Sequence, residues 1–122
     1  MSQDEEWFEE QADRALTLRS DGHYDEALEI LYRLEKTGIH RAAIVGVIGA
    51  TLYYMKEDIT LAMPYLREAV LLSPRSERAS LALFHALFES GEIDAAFDEM
   101  RRYLKDNESP EYRRLLADMN SE

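Results

Sequence analysis

AAIVGVIGATLYYM, residues 42–55, decides the fold of this 122-residue chain. Thirteen of these fourteen residues are apolar or glycine, and Thr51 is the exception. The stretch is shorter than the ~20 apolar residues that a membrane-spanning helix needs, and an ordinary surface helix is apolar along one stripe only. We therefore expect a helix over about residues 40–55 that other parts of the protein bury on more than one side.

Length and composition predict one globular domain covering residues 1–122. Hydrophobic residues make up 46% of the chain and charged residues 32%, which is typical of soluble proteins. The chain has no cysteine, which excludes disulfide scaffolds, thiolate metal sites and cysteine nucleophiles. The acidic start, MSQDEEWFEE, lacks the positive and apolar regions of a signal peptide, so we expect a cytoplasmic protein.

The formal net charge of −11 is distributed unevenly along the chain. Residues 1–40 carry 11 acidic and 4 basic side chains, residues 81–100 carry 5 and 0, and residues 41–80 carry 4 and 5. Negative charge repels nucleic acids and anionic membranes and speeds association with a basic protein. We expect no nucleic-acid or membrane partner; the acidic zones either steer a basic partner or serve solubility alone.

The spacing of apolar residues predicts seven helices and no strand. We expect helices over about residues 3–20, 24–36, 40–55, 60–72, 77–90, 94–105 and 110–119. Ser2 and Glu5 have the spacing of a capping box, and Ser76 and Ser109 precede helices as capping residues do. Pro64 predicts a late start or a distorted first turn for the fourth helix.

The chain contains an internal repeat. Three segments align in one frame: GHYDEAL (22–28), EDITLAM (57–63) and GEIDAAF (91–97). Their shared alanines, Ala27, Ala62 and Ala96, are 35 and 34 residues apart. A helix–turn–helix unit of about 34 residues is the tetratricopeptide period.

GHYDEALEILYRL, residues 22–34, resembles the second half of a tetratricopeptide repeat. The resemblance implies an all-α solenoid of three repeats with a short C-terminal cap helix. It assigns repeat 1 to about residues 3–37, repeat 2 to about 40–73, repeat 3 to about 76–106 and the cap to about 110–119. The chain departs from the family pattern where Glu57 replaces the turn glycine and where a large aromatic residue is absent, its slot being held by Gln11, Gly46 and Ser80.

The resemblance also implies a concave groove lined by the first helix of each repeat, and we expect this groove to bind a protein. The expected groove residues step by three and four along those helices: Leu16, Arg19, Val47, Thr51, Tyr54, Met55, Arg78, Leu81, His85 and Phe88. Tyrosine, phenylalanine and methionine are enriched at interface cores. The alternative is that these side chains belong to a covered core. Trp7 is either a further anchor for the partner or a local staple.

The sequence gives little support to catalysis, and we expect a non-enzymatic protein without metal or cofactor. His23, His40 and His85 are scattered, and none has a second histidine at metal-ligand spacing. The carboxylates are typical of solvated helix faces. The chain has no glycine-rich phosphate loop and no serine nucleophile elbow.

Three functions of a binding module fit these features. The first is an immunity protein that neutralises a dedicated, basic bacterial toxin. The second is a secretion chaperone that shields an amphipathic helix of a client protein, and the third is an adaptor that self-associates. We expect a monomer or a weak homodimer. Some family members clamp a C-terminal carboxylate with lysine and asparagine, but Ala12, Leu16, Val47 and Thr51 hold those slots here.

Overall fold

The computed structural model describes residues 3–121, so Ser2 and its expected capping box lie outside the described residues. Within these residues the chain is all α, without a strand, and this confirms the predicted fold class. A π-helical segment spans Thr51–Met55. The α-helices are α1 (Gln3–Ser20), α2 (Tyr24–Thr37), α3 (Arg41–Ala50), α4 (Ile59–Leu72), α5 (Glu77–Glu89), α6 (Ile93–Asp106) and α7 (Pro110–Asn120).

The chain forms two compact units, unit 1 (Met1–Ala69) and unit 2 (Val70–Glu122). In unit 1, α1 packs against α2, and α2 also contacts α3. In unit 2, α5 packs against α6. Adjacent helices therefore pair as hairpins within each unit, as a repeat of helix–turn–helix units requires.

The three aligned turns share one backbone conformation. Gly22 and Gly91 have φ angles of 86° and 88°, in the left-handed region that glycine enters without a steric cost. Glu57 occupies the equivalent position in the second hairpin with a φ of 54°. A residue with a side chain loses roughly 1–2 kcal/mol in this conformation. Glu57 therefore keeps the turn geometry of the repeat at the expense of local strain.

The helix predicted to reach Met55 does so, but it is α-helical only as far as Ala50. The backbone changes there to the π-helical segment, in which the Lys56 amide donates to the Thr51 carbonyl five residues earlier. A π-helical turn holds more backbone than an α-helical turn and occurs mostly as a single-turn bulge within a helix.

The π-helical segment holds one extra residue in the second repeat. In the first and third turns, the amide after the turn glycine donates to a carbonyl five residues earlier, His23 to Leu18 and Glu92 to Leu87. In the second turn, the Asp58 amide reaches back six residues to the Leu52 carbonyl. This extra residue contributes to the difference between the first alanine spacing, 35 residues, and the second, 34.

Helix α4 begins at Ile59, so the expected late start is wrong. The Asp58 carboxylate accepts a hydrogen bond from the Leu61 amide at 3.0 Å and caps the helix start. Pro64 lacks the amide that would bond to the carbonyl of Thr60. Both residues are exposed, so water can reach that carbonyl and the helix continues through the proline.

Close contact between helices explains the small residues of the core. Ala27, Ala62 and Ala96 are completely buried. A methyl group added at Gly49 on α3 would lie 3.1 Å from Leu66 Cδ2 on α4 and 3.4 Å from the Leu66 amide nitrogen. By contrast, a methyl group added at Gly46 would meet no atom within 4 Å. Gly49 is therefore required by packing, whereas Gly46 is not.

Helix α7 joins unit 2 through Tyr112, which is completely buried. Its ring meets Phe84 edge-on at 5.5 Å and lies 5.9 Å from the ring of Tyr103. Ser109 caps α7 as predicted, accepting from the Tyr112 amide, and Ser76 caps α5 in the same way. The later apolar residues of α7 are less covered, since Leu116 and Met119 stay 37% and 38% exposed.

Candidate partner-binding surface

The last turn of α1 meets the π-helical segment through one polar contact. Arg19 Nε donates to Thr51 Oγ1 at 2.8 Å, and this hydroxyl donates to the Val47 carbonyl at 2.7 Å. Thr51 is completely buried, so it presents no surface of its own to a partner. Its role is to hold the side chain of Arg19 in place. Its contribution to binding can therefore only be indirect, through Arg19.

The other predicted residues of unit 1 surround this contact. Leu16 lies one helical turn before Arg19 and is 44% exposed. Val47 and Met55, one turn before and one turn after Thr51, are half-buried, and Tyr54 beside them is 51% exposed. We call this surface face 1; its members are Leu16, Arg19, Val47, Tyr54 and Met55.

Trp7 does not lie on face 1. It is 44% exposed on α1, nine residues before Leu16. At 3.6 residues per turn, nine residues correspond to two and a half turns, so the two side chains project from opposite sides of the helix. The structure therefore separates Trp7 from the other predicted anchors of unit 1.

In unit 2 the predicted residues lie along the least buried stripe of α5. Residues 82–84, 86 and 87 are buried, whereas Arg78 and Phe88 are exposed and Leu81 and His85 are half-buried. We call this stripe face 2; its members are Arg78, Leu81, His85 and Phe88.

Face 2 is largely apolar and aromatic. Phe88 is 41% exposed and its ring lies 5.9 Å from Phe84 and 6.3 Å from Phe97, which hold it in place. Burial lowers the pKa of His85, and Glu89 opposes this shift. Because its ordinary pKa is 6.5, a lowered pKa makes His85 neutral at pH 7. Face 2 therefore carries one formal charge at that pH, on Arg78.

The two acidic zones differ in the structure. The six carboxylates of the first three turns of α1 are all exposed: Asp4, Glu5, Glu6, Glu9, Glu10 and Asp13. In the second zone, by contrast, Glu99 is buried and paired with Arg102, and Asp98 is paired with Arg101. Glu89, Glu92 and Asp94 stay exposed in the second zone, so counting charges along the sequence overestimates that zone by its two paired carboxylates.

A buried polar network holds α5, the helix that carries face 2, and the sequence did not predict this network. Tyr112 and Ser80 share a hydrogen bond of 2.7 Å between their hydroxyl oxygens, and Ser80 Oγ donates to Glu99 Oε2 at 2.7 Å. Arg102 donates to both oxygens of Glu99 and to the Pro74 carbonyl. The hydrogen bond to Glu99 raises the pKa of Arg102. The network ties α5, α6, α7 and the loop before α5 together.

A family profile for the tetratricopeptide repeat matches residues 53–119, more than half of the chain. The chain belongs to the tetratricopeptide repeat family. No curated protein matches it. Membership indicates a protein–protein interaction module, and the family is generally non-catalytic. The matched region includes all of α5, α6 and face 2, as well as Tyr54 and Met55 of face 1.

The tetratricopeptide unit 1 also contains a cleft of about 550 Å³, which the sequence did not predict. The tyrosine rings of Tyr32 on α2 and Tyr65 on α4 lie 6.2 Å apart in its wall. Arg41 forms ion pairs with Glu35 and Glu68 there. The cleft lining holds two cations, Arg41 and Lys36, and one carboxylate, Glu35, and the charge of Arg41 is already engaged by its ion pairs.

The histidines of the tetratricopeptide chain occupy separate places. His23 Nδ1 lies 3.9 Å from Glu26 in the first turn region, and His40 lies against the ring of Phe8 at 5.4 Å. Residues 3–121 contain no group of three His, Asp or Glu side chains that could hold a metal ion. Over the same residues, every helix is too short or too polar to cross a membrane.

Proposed function

We propose that this tetratricopeptide protein binds and neutralises one dedicated, basic protein partner, as an immunity protein neutralises a toxin. The observation that carries the proposal is the exposure of aromatic side chains on both faces, 51% for Tyr54 and 41% for Phe88. Exposed apolar groups bordered by polar residues mark interaction sites on soluble proteins. Aromatic side chains supply much of the energy at interface cores.

Charge supports a basic partner. The exposed carboxylates of α1 lie in the same unit as face 1, and the whole chain carries a net charge of −11. Such a field raises the rate at which a basic protein encounters the surface. A partner that must be inhibited as soon as it is made benefits from fast association.

The first experiment captures the partner and tests the two faces separately. The tagged protein is incubated with native cell extract, and retained proteins are identified by mass spectrometry. We expect one stoichiometric, folded, basic enzyme that is harmful when expressed alone and harmless when co-expressed. Tyr54→Glu and Phe88→Glu should each abolish co-purification, while Leu71→Glu, at a leucine that is 79% exposed and outside both faces, should not.

Circular dichroism of each variant checks the fold. Loss of helical content in Tyr54→Glu or Phe88→Glu would show that these rings belong to the core. Full binding by both folded variants would refute the proposal that these faces bind the partner. An inert, acidic or unfolded partner would refute the proposal of toxin neutralisation.

The charge argument has its own test. The association rate with the captured partner should fall steeply between low and physiological ionic strength. The triple variant Glu9→Gln, Glu10→Gln, Asp13→Asn should show a lower rate at low salt and a weaker salt dependence. Asp98→Asn, at a carboxylate already paired with Arg101, should retain the wild-type rate. Equal association rates for all forms would show that the negative charge does not steer the partner and serves solubility alone.

A secretion chaperone is the second candidate, and the composition of face 1 favours it. Leu16, Val47 and Met55 provide an apolar strip of the kind that accepts one side of an amphipathic helix. A chaperone binds an isolated peptide of its client, whereas an immunity protein needs the folded domain of its toxin. Binding of the partner's isolated helix with the affinity of the whole partner would therefore select the chaperone.

A further inference from the structure

The hydrogen bonding of its side chain distinguishes Arg19 from the arginines that pair with a carboxylate. Arg41, Arg102 and Arg113 each form an ion pair with a nearby acid. The side chain of Arg19 makes one hydrogen bond within residues 3–121, from Nε to the buried hydroxyl of Thr51. Its two terminal nitrogens therefore keep their hydrogens for an external acceptor.

The orientation of Arg19 is fixed before any partner arrives. Thr51 uses its own hydrogen on the Val47 carbonyl, so its oxygen is committed to accepting from Arg19 Nε. Anchoring Nε leaves the outer edge of the guanidinium pointing away from the helix contact. This edge, formed by the two terminal nitrogens, can bind a carboxylate through two parallel hydrogen bonds.

The residues one helical turn away from the Arg19–Thr51 contact are apolar. Leu16 precedes Arg19 by one turn of α1, and Val47 and Met55 flank Thr51 by one turn on either side. A ligand seated over Arg19 therefore meets apolar side chains on both sides of the cation. Covering the ion pair with apolar groups lowers the local dielectric and strengthens the pair.

We propose that face 1 binds an apolar segment of the partner that carries one internal Asp or Glu, and that Arg19 pairs with this carboxylate. The inference rests on the proposed binding function and names the chemistry of the segment that face 1 accepts. A carboxylate inside the segment fits better than one at a chain end, because apolar contacts extend on both sides of Arg19. Thr51 is a positioning residue in this scheme.

A displayed library of random 16-residue peptides, selected on the immobilised full-length protein, tests the inference. Selected peptides should combine apolar residues with one internal Asp or Glu. Replacing that acid by its amide, or replacing Arg19 by Gln, should weaken binding at least about tenfold, as expected for a charge-assisted bidentate pair. The two changes together should weaken it no further than either alone.

Matched variants separate the pair from bulk charge and from folding. Arg14→Gln removes one positive charge from an exposed site on the same helix and should leave peptide affinity unchanged. Arg19→Glu should bind the peptide in which Lys replaces the acid. Thr51→Val should lower affinity several-fold, and Thr51→Ser should restore it, because serine keeps the hydroxyl that holds Arg19.

Other outcomes overturn the inference and leave the proposed function to its own test by partner capture. Selected peptides without an acid, or with equal affinity for Arg19→Gln, would show that face 1 binds by apolar contact alone. If the only acid common to the selected peptides were the free C-terminal carboxylate, Arg19 would recognise a chain end and not an internal acid. If sedimentation velocity showed a dimer and Tyr54→Glu made it monomeric, face 1 would be the interface with a second copy of the chain. Failure to enrich any peptide would show that face 1 accepts no short segment.

Discussion

Two glycines in one helix should respond differently to the same substitution. Gly46 and Gly49 both lie in α3, so replacing either by alanine gains the same helix propensity, about 1 kcal/mol. At Gly46 the new methyl group meets open space, and the free energy of unfolding should rise by about this amount. Gly46→Ala is therefore the matched control for Gly49→Ala.

At Gly49 the new methyl group would lie 3.1 Å from Leu66 Cδ2 and 3.3 Å from Tyr65 Cβ. Leu66 is 2% exposed, so its side chain cannot move aside into solvent. Overpacking a core by a methyl group costs about 1–3 kcal/mol, which exceeds or cancels the gain in propensity. We expect Gly49→Ala to be less stable than Gly46→Ala by about 1–3 kcal/mol, the full overpacking term.

Urea unfolding followed by circular dichroism measures both changes, with the free energy taken by linear extrapolation. Thermal unfolding should separate the two variants by about 4 °C for each kcal/mol. Both glycines lie in unit 1, so a transition specific to unit 2 should not move. If Gly49→Ala proved as stable as Gly46→Ala, the contact between α3 and α4 would be looser than the packing argument requires.

Three further perturbations test the strain and the buried network. Glu57→Gly should raise the free energy of unfolding by up to about 1 kcal/mol in urea titrations, because glycine removes the left-handed strain. Arg102→Ala should lower it by about 2–3 kcal/mol, because the buried Glu99 carboxylate loses its cation and keeps the Ser80 hydroxyl as its donor, although Arg102 itself is 38% exposed. Arg101→Ala, at an exposed pair, should change it by less than about 0.5 kcal/mol. Burial raises the pKa of Tyr112 above its ordinary 10.0, so the folded chain keeps a proton that the unfolded chain releases. Stability should therefore fall as pH rises above 10, and Tyr112→Phe should flatten that slope in unfolding curves recorded from pH 8 to pH 11.

The sequence predicted the all-α class and the repeat frame because both follow from local rules. Apolar spacing located every helix to within a few residues, and the frame of Ala27, Ala62 and Ala96 located the turns. The same frame showed that the spacing from Ala27 to Ala62 is one residue longer than the spacing from Ala62 to Ala96. Spacing alone does not say where a chain places an extra residue, so the π-helical segment was missed.

The buried network could not be predicted, because it depends on residues that meet only after folding. Ser80, Glu99 and Tyr112 come from three helices, and each has an ordinary surface interpretation in the sequence. The absence of a large aromatic residue at the position of Ser80 did not reveal the network either, because Gln11 and Gly46 hold the same slot in the other two repeats. The structure shows why that position is small: the buried ring of Tyr112 packs beside it and shares a hydrogen bond with it.

The negative charge of the chain and the carboxylate expected opposite Arg19 act over different distances. At physiological ionic strength exposed charges are screened beyond about 8 Å, so the acids of α1 influence the approach of a partner through its overall charge. Arg19 acts at hydrogen-bond distance, on a single group that apolar contacts cover. A partner that satisfies both conditions is basic overall and places one acid within an apolar segment. A uniformly acidic or purely apolar segment meets only one of them, so the combination gives face 1 selectivity beyond what its apolar residues provide.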